Sequence, residues 1–324
     1  MKAIVYTRYG PPDVLQLMEL AKPVPADNLV LVKILAASVN ALDYRRFEGI
    51  SPMGRVMDAV VFKSKNKVLG ADIAGRVETV GQSVEQFRPG DEVFGIAAGS
   101  EGGFAEYACA RESTLVRKPA ALSFEAAAAV PVAGLTALQA LRDHGRAHPG
   151  QKVLVVGASG GVGTFAVQLA KFFGADVTAV CSPRNLEMVR SIGADRAIDY
   201  TQRDFTREAE RYELILAVNG HHSLFAYRRV LSARGTCVLV GGPLAQIVEG
   251  ILLGPLVSMV VRKKMNFMGV ARVNPKDLGF LGGLLDTGRI IPVIDRRYPL
   301  GETAQAIRYL VEEHARGKVV LLMQ

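Results

Sequence analysis

The stretch Val153-Leu154-Val155-Val156-Gly157-Ala158-Ser159-Gly160-Gly161-Val162-Gly163 constrains the fold of this chain more than any other. Four aliphatic residues predict a buried strand, and a run of small residues predicts a tight turn. Thr164 to Phe173 then carries apolar residues at helical spacing. Strand, turn and helix in that order bring several free backbone N–H groups and a positive helix end to one point, which suits a dinucleotide pyrophosphate. Gly160 lets the backbone approach the phosphates, and Gly163 lets the helix pack against the strand. Ala158 occupies the place of the first glycine in a strict G-x-G-x-x-G pattern, so a plain tight turn is the alternative. The strand before and the helix after favour dinucleotide binding. Ala158, Ser159, Gly160, Gly161, Val162 and Gly163 are therefore candidate cofactor contacts.

Around this unit the chain changes character twice. Residues 1 to about 120 read as short alternating strands (Ala3–Tyr6, Leu29–Ala36, Ile73–Val80, Glu92–Ile96) broken by Pro and Gly turns. Helices are predicted over Phe124–Val130 and Thr136–Arg142. Strands and helices then alternate: Val153–Val156, Thr164–Phe173, Val177–Cys181, Leu186–Ser191, Leu214–Ala217, Phe225–Leu231, Thr236–Val240. That alternation predicts an α/β domain with a doubly wound parallel sheet. Asn266–Val270 and Val319–Met323 read as further strands, and Leu278–Leu285 as a helix.

The formal net charge of +8 is scattered among acids without a long basic block, which argues against nucleic acid and fits an anionic small ligand. No 18-residue apolar run lacks charge, so no membrane span is expected. The apolar segment Ile247–Val261, followed by Arg262-Lys263-Lys264, reads as a pocket-lining helix or a subunit contact in preference to a membrane-surface helix. Three cysteines (Cys109, Cys181, Cys237), odd in number and far apart, fit a reducing compartment, and a cytoplasmic protein is expected. A homodimer is left open.

Several stretches together resemble the medium-chain dehydrogenase/reductases, in their zinc-free quinone oxidoreductase branch. They are Val39-Asn40-Ala41-Leu42-Asp43, Gly70-Ala71-Asp72-Ile73-Ala74-Gly75, Phe87-Arg88-Pro89-Gly90-Asp91, Gly103-Phe104-Ala105-Glu106-Tyr107, Pro131–Ala137, the glycine turn, Gly193-Ala194-Asp195 and Gly317-Lys318-Val319-Val320. The resemblance spans nearly the whole chain. It implies a GroES-like β domain over 1–122, joined by the last stretch of the chain, 273–324, and a Rossmann domain over 123–272, with the active site in the cleft between them. Zinc relatives carry a Cys where this chain has Asn40 and Gly-His-Glu where it has Gly70-Ala71-Asp72, so no metal is implied. His221-His222 reads as surface.

The expected cofactor is NADPH. An NAD site places an acid at the end of the second strand to bond the ribose 2′-hydroxyl. Here that strand ends Cys181-Ser182-Pro183-Arg184-Asn185, and Ser182 and Arg184 suit a 2′-phosphate. NADPH-using relatives often carry a lysine at the place of Asn185. Tyr200 matches a tyrosine near the adenosine phosphate, or else is a core-edge aromatic. Asn219 and Gly241, after the next two strands, complete the candidate cofactor set. The resemblance implies hydride delivery to a quinone or to the β-carbon of an α,β-unsaturated carbonyl. Asn40 is the candidate donor to the substrate oxygen, and Thr136 aligns beside the nicotinamide or is a helix N-terminal hydroxyl. The proton comes from Tyr44 or from water. The segments Ile50–Lys67 and Ile247–Val261 are expected to wall an apolar substrate pocket. A non-catalytic NADPH-binding protein, or a membrane-associated sensor, is the rival reading.

Overall fold

The computed structural model describes residues 1–48, 67–98, 102–242, 263–313 and 315–323. The chain forms two compact units, Met1–Ala133 with Val273–Gly288 and Ile294–Gln324, and Gly134–Arg272 with Arg289–Val293. Residues 243–262, which include Ile247–Val261, and nearly all of Ile50–Lys67 lie outside the described residues.

The first unit is built on β strands. β1 (Lys2–Tyr6) pairs with β2 (Leu15–Glu19) and, through its other edge, with β4 (Lys67–Val68). The larger sheet centres on β3 (Leu29–Val39), flanked by β5 (Asp72–Val80) and β16 (Lys318–Leu322). β6 (Glu92–Ile96) and β8 (Leu115–Arg117) extend it on one side and β15 (Ile294–Pro299) on the other, while β7 (Tyr107–Arg111) also pairs with β3. The last four residues of β3 are all buried, so this end reads as continuous rather than alternating hydrophobicity. Tyr6, Phe47 and Phe104 fill one core of the unit. Val30, Ile34, Ile73 and Phe87 fill another. One consequence of the register is chemical. Ser38 stands opposite Asp72, and Val39 stands opposite Val319, so four polar residues (Ser38, Asn40, Asp72, Lys318) converge at the end of β3.

The second unit is a six-stranded, wholly parallel sheet of β9 (Lys152–Val156), β10 (Asp176–Cys181), β11 (Arg196–Asp199), β12 (Tyr212–Val218), β13 (Leu231–Val240) and β14 (Lys264–Met268). Its order is β11-β10-β9-β12-β13-β14, which reverses direction between β9 and β12. Ligands in such sheets bind outside the carboxyl ends of the strands at that reversal. The aliphatic run read as a strand is fully inside: Val153, Leu154 and Val155 are each 0% exposed.

Two glutamines tie passing backbone to this unit. Gln139 Nε2 donates to Arg272 O at 2.7 Å while its Oε1 accepts Arg272 N–H at 2.9 Å. Gln168 does the same at Ile291, donating at 3.0 Å and accepting at 2.8 Å. Both side chains are buried.

The helix expected over Thr136–Arg142 begins earlier, at Pro131, and runs to Gln139 before widening into a π turn over Ala140–His144. Proline is tolerated in a first helical turn because its missing N–H has no partner there. Nothing in the sequence announces the short helix Ala41–Glu48, whose apolar content is low. Among the described residues no helix is long and apolar enough to cross a membrane.

Candidate cofactor and reaction site

Gly157, immediately after β9, adopts φ +73°, and a Cβ there would stand 2.3 Å from Val218 O. The turn therefore requires glycine at 157 as well, one place before the position where Ala158 stands for the first glycine of the pattern. Ala158 is fully buried and its N–H donates to Val180 O at 3.1 Å, so that group is committed to β10 and cannot meet a phosphate. Gly163 is required for packing, because a Cβ would fall 2.1 Å from Gly157 O and 2.7 Å from Ala158 C.

Gly160 differs. Its backbone is extended (φ −81°, ψ 175°), and a Cβ would meet only Gly157 O, at 3.6 Å. Nothing in the fold demands glycine there, and the open space beside it suits close approach of a ligand to the backbone. The helix Gly161–Phe172 starts at once, and its first recorded internal bond runs from Thr164 N to Gly160 O. The N–H groups of Gly161, Val162 and Gly163 precede that bond and open at the helix N-terminus. Ser159, Gly161 and Val162 are half-buried rather than sealed. These residues fit a pyrophosphate.

The remaining cofactor candidates stand at strand ends on the same carboxyl edge. Ser182 follows β10, and Asn185 Nδ2 donates to its Oγ at 3.0 Å. Arg184 is exposed. Tyr200 follows β11 and is 53% exposed, which removes the core-edge alternative. Asn219 follows β12 with φ +49° and donates its N–H to Val240 O at 2.9 Å. Gly241 follows β13 with φ +65°.

In the first unit, the polar residues at the end of β3 form a closed network. Asp72, 0% exposed, accepts Ser38 Oγ at 2.6 Å, Asn40 Nδ2 at 2.9 Å and Lys318 Nζ at 3.3 Å on one oxygen. Its other oxygen accepts Val132 N–H at 2.8 Å, in the first turn of the helix Pro131–Gln139, where a carboxylate also meets the helix dipole favourably. Lys318 donates further to Asn40 Oδ1 at 2.6 Å and Val39 O at 3.3 Å. Asn40 Nδ2 has its second acceptor in Ser38 O at 3.3 Å. Both amide hydrogens of Asn40 are thus used inside the protein, and the role expected for it, donation to a substrate oxygen, is not the one its bonds serve. Asp43 reaches back from the helix Ala41–Glu48 to accept Asn40 N–H at 2.8 Å, half of a capping box. Burial pushes the Asp43 carboxyl up to about 6, opposed first by that N–H and reinforced by the charge of Asp72.

Tyr44 donates its hydroxyl to Glu48 at 3.0 Å, and its ring packs edge-on against Phe47. Burial and the Glu48 carboxylate both raise its pKa, so the expected proton donor is held within its own helix. Thr136 lies inside the helix Pro131–Gln139, not at its start, which removes the N-terminal hydroxyl alternative. His222 packs edge-on against Phe205 at 4.9 Å. Among the described residues no three His, Cys, Asp or Glu side chains come together to hold a metal ion. The three cysteines are buried, and burial pushes the Cys181 thiol up to about 11.

Residues 26–120 match the family model described as alcohol dehydrogenase GroES-like domain, and residues 192–321 the one described as zinc-binding dehydrogenase. Over 99% of its length the chain is 30% identical to the chloroplastic quinone-oxidoreductase QR1 of Triphysaria versicolor, covering 98% of that protein. This chain belongs to the medium-chain dehydrogenase/reductase family. Its place there is the zinc-independent branch related to quinone oxidoreductases and enone reductases. The 2-methylene-furan-3-one reductase of Solanum lycopersicum is 34% identical over 99% of this chain and 79% of its own. The quinone oxidoreductase of Coxiella burnetii superposes with a TM-score of 0.88 at 31% identity, covering 100% of this chain and 99% of that one. A GroES-like β domain and a Rossmann domain are the family's parts. The "zinc-binding" label of one matched model is not carried by these residues: where ligands would stand, Lys318 already neutralises Asp72. The expectation of a cytoplasmic protein is corrected, since relatives are named as chloroplastic or mitochondrial. Three cysteines far apart in the sequence fit any reducing compartment and so could not have chosen among them.

Sequence reasoning singled out Gly317–Val320 as a stretch but gave Lys318 no role. The available signal was a lysine opening an otherwise apolar strand, since long cations enter such positions only when paired.

Proposed function

We propose that the protein reduces apolar quinones or α,β-unsaturated carbonyls with NADPH, without a metal. The observation that carries this reading is the buried Lys318–Asp72–Asn40 network: a fixed ammonium occupies the charge that a metal would otherwise balance. When bound, the nicotinamide supplies the hydride, and the substrate must present an electron-poor carbon to it. The protein's part is positional. The turn from Gly157 to Gly163 receives the pyrophosphate. Ser182 and Arg184 favour a 2′-phosphate, because no acid at the end of β10 repels it. Asn40 and Asp43 hold the start of the helix Ala41–Glu48. Water delivers the proton, since the Tyr44 hydroxyl is engaged with Glu48.

The test is NADPH oxidation against quinones, alkenals and cyclic enones, with elemental analysis and a chelator control. Turnover of at least one class, without stoichiometric zinc and unchanged by EDTA, is expected. Turnover of none of them would favour a non-catalytic NADPH-binding protein. Zinc near one per chain, with activity lost on its removal, would overturn the metal-free mechanism.

A further inference from the structure

The geometry points to Asn185 as a positioning residue for NADPH preference, one that fixes the Ser182 hydroxyl as a donor toward the 2′-phosphate; this rests on the NADPH reading above. Asn185 is 2% exposed and grips Ser182 twice. Its backbone N–H donates to Ser182 O at 3.0 Å, and its Nδ2 donates to Ser182 Oγ at 3.0 Å. A hydroxyl has one hydrogen, and Ser182 accepts on the inner side. The 3-10 turn Pro183–Asn185 takes no cap from that hydroxyl, although Ser182 stands at its N-cap position. Among the described residues Ser182 Oγ donates to no acceptor, and the residue is half-buried, which leaves its hydrogen for a ligand. A hydroxyl that accepts one hydrogen bond is polarised into a better donor for the next.

The cost of this arrangement is visible. Asn185 Oδ1 is buried without a hydrogen-bond partner. Turning the amide over would satisfy that oxygen with the Ser182 hydroxyl and leave both N–H groups without acceptors, where the present orientation leaves one N–H and the carbonyl. That turned state would also draw the Ser182 hydrogen inward. Leucine would fill the space with no orphaned oxygen, and aspartate would accept from Ser182. Asparagine alone of the three donates to Ser182, leaving the hydroxyl hydrogen for an anion. The 2′-phosphate accepts such a bond. A ribose 2′-hydroxyl, able to donate or accept, gains less from a fixed donor.

The experiment measures dissociation constants of NADPH and NADH by nicotinamide fluorescence on the full-length protein. Ser182→Ala should weaken NADPH about tenfold, the lower end for a hydrogen bond to a charged group, and leave NADH within about twofold. Asn185→Leu should weaken NADPH by about threefold or more in the parent, yet add nothing in the Ser182→Ala background, because Asn185 acts through that hydroxyl. Asn185→Asp, which turns the hydrogen inward and adds a charge, should weaken NADPH at least as much as Ser182→Ala; it carries the comparison should the leucine variant fail to fold. Unchanged NADPH affinity in Ser182→Ala overturns the inference. So does an equal effect of Asn185→Leu with and without Ser182, or an equal loss of NADH. A parent that binds NADH as tightly as NADPH instead overturns the cofactor reading on which this one rests.

Discussion

Lys318 Nζ lies 2.6 Å from Asn40 Oδ1, and that contact decides which way the Asn40 amide faces. An ammonium only donates, so the carbonyl oxygen must turn toward it and the NH2 toward Asp72 and Ser38. A residue near the end of the chain thereby sets the conformation of the residue that precedes the helix Ala41–Glu48. Because the register of β16 on β3 places Lys318 there, that residue is held by the sheet itself.

Lys318→Met should be severely destabilising. It leaves Asp72 charged, fully buried and short of its cation, at a cost of about 3–5 kcal/mol. Adding Asp72→Asn removes the unpaired charge and should recover most of that loss. Urea unfolding of both variants checks this; a single variant with the parent's midpoint would show that Lys318 balances nothing.

Asp43 should make the protein less stable as pH rises from about 4 to 6. Its carboxyl ionises near 3.8 when free and near 6 in the fold, so across that window the folded state holds the proton more tightly. Stability from this group is complete below the lower value and is lost as pH passes the upper one. Asp43→Asn keeps an oxygen for the Asn40 N–H and removes the buried charge. Its stability relative to the parent should therefore increase through that window and stay higher at neutral pH. Parallel curves for parent and variant would contradict the assignment.

Two glycines of the turn should separate binding from folding. Gly160→Ala meets only Gly157 O at 3.6 Å, so thermal stability should hold while NADPH affinity falls. Gly163→Ala drives a Cβ to 2.1 Å from Gly157 O and should lower the unfolding temperature even without cofactor. Calorimetry beside a fluorescence titration distinguishes them. Full NADPH affinity in Gly160→Ala would remove the turn from the cofactor site.

Arg184→Ala should shift the NADPH to NADH ratio of kcat/KM by about tenfold toward NADH, the low end for a charge-assisted contact because Arg184 is exposed. A ratio that does not move would leave the phosphate to another cation.

The second unit was legible in the sequence because its determinants are local. Aliphatic runs, the glycine turn and the alternation of periods all lie within short windows, and Leu186–Ser191 was placed to the residue. The strand ends that carry Ser182, Tyr200, Asn219 and Gly241 follow from the same pattern. The network of Ser38, Asn40, Asp72 and Lys318 was not legible, because its members are brought together only by antiparallel register. Spacing along the chain does not report which hydrogens of Asn40 remain available. Why position 157 must be glycine was not legible either, because the positive φ that requires it appears only in the folded backbone.

Gln139 and Gln168 grip Arg272 and Ile291 through main-chain N–H and C=O alone. Such a clasp is blind to the side chain it holds. Positions 272 and 291 are both exposed and should accept almost any residue over evolutionary drift. Proline is the exception, since it has no N–H for the glutamine oxygen. An aligned family would show these two sites as variable, and a reader of variability would pass over them. Their constraint would surface only as one missing amino acid.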